Sequence, residues 1–162
     1  MFAPPLLDSL DFSRNAKVLR GEVAIADLPR LHDGLANLSG LLAYQVRGFI
    51  AADDKAMLEL TLQGRCQPRC QRCLEAMDFA VQLTSLLHLQ EGELDPFADE
   101  DEAFDSIPAS SALDLLALIE DELLLALPFA PRHAEGVCSA AGEEFTQSGR
   151  NPFAALAGLK SK

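Results

Sequence analysis

The chain has 162 residues and a net charge of −12, with 25 Asp and Glu against 13 Lys and Arg. This balance argues against broad, sequence-independent binding of nucleic acid, because such binding requires clustered basic side chains. No apolar run reaches the length of a membrane span, and the N-terminus lacks the basic and apolar regions of a secretory signal. We therefore expect a cytoplasmic protein whose four cysteines are thiols or metal ligands rather than disulfides.

The N-terminal region contains two predicted elements. Residues 1–13 are predicted to form an irregular lead-in, because two consecutive prolines prevent regular pairing. A single domain is predicted over residues 14–145, beginning with a short strand at 18–24. A short helix is then expected over residues 27–37, with an Asp at its start and a Pro in its first turn.

Three runs of alternating apolar and polar residues follow, over residues 42–50, 58–63 and 78–87. Alternation of this kind predicts strands with one buried face, and short links favour antiparallel neighbours. We therefore predict an α+β fold. Its sheet is an antiparallel β-meander that could curl toward a barrel, packed against one main helix and the shorter N-terminal helix.

The stretch from Glu91 to Asp105 contains eight acidic residues and neither Lys nor Arg. It predicts a solvated acidic loop over residues 91–110. One interpretation is a loop that maintains solubility. The other is an acidic patch that mimics phosphate or docks on a basic protein.

The main helix is predicted over residues 112–127, with Ser111 at its start and Pro128 at its end. Its predicted apolar face contains Leu113, Leu116, Ala117, Leu123, Leu124 and Leu127. Glu120 falls in the middle of this face, where an unpaired carboxylate would be costly. We expect it to have a partner, or to border an interaction surface. The candidate partners are backbone amides in the core or one of four arginines, Arg47, Arg65, Arg69 and Arg72.

Three cysteines and three arginines lie close together over residues 65–73. The spacing Cys70-x-x-Cys73 allows two thiolates to reach one metal ion. His133 and Cys138 would complete a Cys₃His zinc site, and Cys66 could replace one member. The alternative is a strand-connecting loop with free thiols and no cofactor.

The C-terminal tail, residues 146–162, is predicted to contain a short helix, because Asn151 can cap it and Pro152 suits its first position. Phe153 begins its apolar face. A helix of this length is marginal alone in water, so the tail should dock on its own domain or fold on a partner.

Five segments have the order and spacing of a known family: residues 70–73, 114–116, 120–128, 131–138 and 151–160. Together they resemble the YceD family, the large ribosomal RNA subunit accumulation proteins of bacteria and plastids, from about residue 41 onward. The resemblance implies a role in the synthesis, processing or stability of 23S ribosomal RNA and in large-subunit assembly. It implies no catalytic activity.

On this interpretation the protein is not an enzyme. Its partner is a large-subunit precursor, through 23S RNA or a ribosomal or assembly protein, with no membrane and no small-molecule substrate. The candidate RNA- or partner-binding residues are Arg65, Arg69, Arg72, Glu120, Glu122, Asn151, Pro152 and Phe153. The alternatives are a small zinc- or thiol-dependent enzyme that acts in RNA maturation through residues 66–73, and an interaction module unrelated to RNA.

Overall fold

One five-stranded sheet dominates the fold. A computed structural model describes residues 6–92 and 104–138 of the chain. The strands of the sheet, in spatial order, are β2 (Val18–Ala24), β3 (Leu41–Ile50), β4 (Ala56–Cys66), β5 (Phe79–Gln90) and β6 (Asp105–Pro108). The first four are antiparallel neighbours. The predicted α+β meander is therefore confirmed, and the sheet is open, with β2 and β6 at its edges.

The last strand departs from the meander. β6 lies parallel to β5, with Asp105 opposite Leu87. Parallel neighbours need a crossover connection, which residues 91–104 supply. The predicted acidic loop is therefore too long at its C-terminal end, where residues 105–108 are a strand. Residues 93–103 of that loop lie outside the described residues.

The prediction of an irregular lead-in over residues 1–13 is wrong from residue 6 onward. β1 (Leu6–Leu7) and α1 (Ser9–Arg14) occupy most of this segment. α1 forms because the Asp8 side chain accepts a hydrogen bond from a backbone N–H of its first turn, at 2.9 Å. It packs against Gly48 of β3, where a Cβ atom would lie 2.6 Å from a carbonyl oxygen of α1.

The shorter N-terminal helix is two 3₁₀ segments, Ile25–Asp27 and Pro29–Gly34, rather than one α-helix. Leu28 separates them with φ −114° and ψ 76°. The residue before a proline is disfavoured in the α conformation, so the helix expected across Pro29 cannot be continuous. Asp27 lies inside the first segment and caps neither.

The main helix, α2 (Leu115–Ala126), begins three residues later than predicted. The preceding two residues form β7 (Leu113–Asp114), which pairs with β1. Asp114, rather than Ser111, is the cap: its side chain accepts two backbone N–H groups of the first turn, at 2.9 and 3.2 Å. Because residues 113–114 form this strand, the helix begins at Leu115 rather than at residue 112.

The buried face of α2 agrees only in part with the predicted one. Leu123 is buried, and Leu113, Leu116 and Leu127 pack against the core as predicted. Leu115, Leu118 and Ile119 are also buried, whereas Leu124 is 37% exposed. The helix is leucine-rich around most of its circumference, so periodicity could not select one face. The correct face packs with the inner side of the sheet in a single apolar core.

The described part of the chain has no helix long and apolar enough to cross a membrane. The tail predicted over residues 146–162, with Asn151, Pro152 and Phe153, lies outside the described residues.

Candidate metal centre

The turn between β4 and β5 carries two of the four predicted ligands, Cys70 and Cys73. Two backbone hydrogen bonds close it: Leu74 N–H donates to the Cys70 carbonyl, and Cys70 N–H donates to the Glu75 carbonyl, both at 2.9 Å. Leu74 adopts φ 62°, a left-handed conformation suited to a tight reversal. The turn leaves both sulfur atoms within 4.8 Å of each other.

The other two predicted ligands follow α2. A backbone N–H of the turn donates to the Pro131 carbonyl at 2.8 Å, which holds this segment beside the turn. The His133 Nε2 lies 3.1 Å from the Ala76 carbonyl oxygen. A carbonyl only accepts, so Nε2 is the protonated donor, and in the neutral imidazole Nδ1 then keeps its lone pair for a ligand. This arrangement is typical of a histidine that binds a metal ion.

The sequence-predicted ligands converge. The donor atoms of Cys70, Cys73, His133 and Cys138 all lie within 4.8 Å of one another. The Sγ atoms of Cys70 and Cys138 are 3.7 Å apart, and the His133 Nδ1 lies 3.4 Å from the Cys73 Sγ and 3.6 Å from the Cys138 Sγ. Tetrahedral zinc with ordinary bond lengths separates two sulfurs by about 3.8 Å, and sulfur from nitrogen by about 3.6 Å. These four residues, the Cys₃His cluster, therefore fit zinc.

The surroundings of the cluster favour negative charge on two of its sulfurs. Burial raises the pKa of Cys70, but backbone N–H groups, that of Cys73 first and then those of His133 and Arg72, oppose it and bring the pKa to about 5. Burial likewise raises the pKa of Cys138, but Arg72 and His133 outweigh burial and lower it. A backbone hydrogen bond lowers the pKa of Cys73, whereas burial and the neighbouring thiols raise it overall. Three sulfurs this close require a cation before all can ionise.

Arg72 is part of this environment. Its Nε donates to the Cys138 Sγ at 3.1 Å, and a terminal nitrogen donates to the carbonyls of His133 and Ala134 at 3.2 and 3.4 Å. The hydrogen bond to Cys138 raises the pKa of Arg72 further. The guanidinium predicted to contact RNA therefore bridges the turn to the segment after α2.

The other two arginines of the loop point elsewhere. Arg69 donates to the Leu35 carbonyl at 3.3 Å, and Arg65 is an exposed residue of β4, opposite Ala80. The structure therefore does not bring the three predicted RNA-contacting arginines to one point.

Cys66 stands apart from the cluster. It is buried in the apolar core, and burial raises the pKa of its thiol to about 11. The structure thus assigns it to packing, and the suggested exchange of Cys66 for a cluster member finds no geometric support.

The two glutamates of α2 have structural partners. The Glu120 Oε1 accepts the backbone N–H of Arg30 at 2.8 Å, at the start of the second 3₁₀ segment. Glu122 accepts the hydroxyl of Ser85 on β5. Between them, Asp121 forms an ion pair with the Arg30 guanidinium. Of the two kinds of partner expected for Glu120, the structure shows a backbone amide and none of the four candidate arginine side chains. Which backbone amide would bind it leaves no signal in the sequence.

A comparison of the sequence with models of protein families shows which family the chain belongs to. The model described as "Large ribosomal RNA subunit accumulation protein YceD" matches residues 58–160. The chain belongs to the YceD family. A curated relative from Haemophilus influenzae, also named "Large ribosomal RNA subunit accumulation protein YceD", is 26% identical over 152 residues, covering 88% of this chain and 87% of the relative. No solved structure matches the chain.

Proposed function

We propose that this protein is a non-catalytic factor that supports the accumulation of 23S ribosomal RNA and the assembly of the large ribosomal subunit in the cytoplasm. The observation that carries the proposal is the family match over residues 58–160, which contains the whole Cys₃His cluster and α2. The Haemophilus influenzae relative, named for the large ribosomal RNA subunit, supports it.

We further propose that the cluster binds one zinc ion for a structural purpose. Four protein ligands complete a tetrahedral site, whereas catalytic zinc sites usually keep one position open for water or substrate. The ligands come from two distant parts of the chain, so the ion would fasten the segment after α2 to the turn between β4 and β5. This geometry favours a non-catalytic binding protein over the alternative, a zinc- or thiol-dependent enzyme.

The charge of the chain bears on how the partner is recognised. A protein with net charge −12 is poorly suited to grip RNA over a large area. We therefore infer that it binds the large-subunit precursor mainly through a ribosomal or assembly protein. Arg65 and Arg69 are available for local phosphate contacts, and residues 151–153 of the tail remain a proposed partner-binding segment.

The test uses cells that lack the gene, complemented with the wild-type chain, with Cys70→Ser or with Cys66→Ala. We expect the wild type to cosediment with large-subunit precursors, to restore the ratio of 23S to 16S RNA, and to contain about one zinc ion per chain. Cys70→Ser should lose zinc and function together. Cys66→Ala removes a thiol outside the cluster and should retain both.

The outcomes separate the two proposals. If the wild type stays at the top of the gradient and the RNA ratio does not depend on it, the ribosomal function is wrong. If Cys70→Ser loses zinc but still restores 23S RNA, the function stands and the structural role of zinc is wrong.

A further inference from the structure

β2 is an open edge of the sheet. Within residues 6–92 and 104–138 it pairs on one side only, with β3. At the ends of this ladder, Gly48 N–H donates to the Lys17 carbonyl and Ile25 N–H donates to the Gly40 carbonyl. In an antiparallel pair, alternate residues make these bonds. The odd-numbered residues of β2 therefore direct their backbone N–H and C=O groups toward β3. The even-numbered ones turn their N–H and C=O groups outward: Val18, Arg20, Glu22 and Ala24.

This edge has little of the protection that exposed edges usually have. It is seven residues long, contains no proline, and exposes Val18 by 50%. An unpaired edge of this length is a template for another strand. Arg20 is hydrogen-bonded to Gln45 on β3, and neither Arg20 nor Glu22 forms an ion pair within residues 6–92 and 104–138.

The sequence of the edge is complementary to itself. We propose that β2 pairs antiparallel with β2 of a second copy of this chain about a two-fold axis at Gly21, which joins two sheets into one. In this register Arg20 lies opposite Glu22 of the second copy, and Glu22 lies opposite its Arg20. Val18 lies opposite Ala24 in the same way. All four residues are outward-facing in both copies, so their backbone groups can bond across the axis.

The charges select this register. Sliding the copies by one hydrogen-bonded pair in one direction places Arg20 opposite Arg20, and in the other direction Glu22 opposite Glu22. Opposite charges across strands stabilise a pair, and like charges directly opposite destabilise it. In the proposed register, Ala24 of the second copy lies between Val18 of the first copy and the exposed Leu41 of the second copy. These three side chains form one row across the joined sheet. An interface that uses the same patch twice closes into a dimer.

The test is analytical ultracentrifugation of the full chain over a wide range of concentration. The wild type should approach twice the 17.5 kDa of one chain. Arg20→Glu and Glu22→Arg each create two like-charge contacts, so each should weaken the dimer by about tenfold or more. The double variant restores opposite charges and should dimerise like the wild type. Asp33→Arg changes the charge of an exposed residue outside β2 by the same amount as Glu22→Arg, so it is the matched control for that variant.

A mixture of the two single variants gives the sharpest result. Each variant repels itself, but Arg20→Glu beside Glu22→Arg again places opposite charges across the axis, so the mixture should form a heterodimer. Circular dichroism checks that each variant is folded. A wild type that is monomeric at every concentration, a dimer that single reversals leave unchanged, or a double variant that fails to recover would each overturn the proposal.

Discussion

Replacing Glu120 tests whether the acidic motif of α2 supports the fold or forms a binding surface. Glu120 is 6% exposed and accepts the backbone N–H of Arg30. Glu120→Ala leaves that N–H without an acceptor and opens a small cavity, at a cost of about 2–3 kcal/mol. Glu120→Gln keeps an acceptor oxygen but loses the charge, so about 1 kcal/mol is expected.

The neighbouring residue provides the control. Asp121→Ala removes an ion pair whose side chains are both about half exposed, which should cost less than about 1 kcal/mol. Arg30→Ala should resemble Asp121→Ala, because it keeps the backbone N–H that Glu120 binds.

The measurement is urea unfolding followed by circular dichroism, with unchanged denaturant dependence as the check that the unfolded state is the same. Equal free energies of unfolding for the alanine variants at 120 and 121 would refute the structural role. Glu120 would then be free for a partner, and any loss of 23S RNA caused by its replacement would have to come from binding.

Four further predictions follow from the structure. Removal of metal by a chelator should make the three cluster thiols reactive to alkylation. Cys66 should stay unmodified, because it is buried and its pKa is about 11. Mass spectrometry of the alkylated peptides measures which cysteines react. Arg72→Gln should weaken zinc retention by roughly tenfold or more in a chelator competition. Arg69→Gln should leave zinc retention unchanged, because the Arg69 side chain donates to the Leu35 carbonyl and not to a cluster sulfur. Gly48→Ala should destabilise the fold by about 1–3 kcal/mol in urea unfolding, because the added Cβ would lie 2.6 Å from a carbonyl oxygen of α1. Gly34→Ala should leave the free energy of unfolding nearly unchanged, because a Cβ there has open space around it. The purified protein should bind bare 23S RNA weakly and with steep salt dependence; tight binding that salt does not affect would contradict the inference of a protein-mediated contact.

The strands could be predicted because local patterning determines them. The alternation over residues 42–50 and 58–63 reflects one buried face of each strand, and β3 and β4 formed there. Residues 6–14 could not be predicted in the same way, because β1 is specified by its pairing with β7, more than a hundred residues away. The start of α2 was misplaced for the same reason.

The members of the Cys₃His cluster could be predicted from the sequence, but the groups that orient them could not. Cysteine and histidine are rare enough in this chain that their spacing pointed to Cys70, Cys73, His133 and Cys138, with Cys66 as an alternative member that the structure places in the core. The groups that orient them are backbone atoms, such as the Ala76 carbonyl, and any residue type supplies those. Arg72 was recognised as important for its charge, but the sequence could not distinguish a phosphate contact from a sulfur contact.

The pairing of β1 with β7 also sets an order of events during synthesis. Ser9 and Ser110 exchange hydrogen bonds across about a hundred residues, next to this pairing. Closing so long a loop is entropically costly and late, whereas β2 to β5 connect through nearby residues. Residues 6–9 are therefore among the last to reach their final positions, although they are synthesised long before the residues they pair with, since they must wait until residues 113–114 have been made.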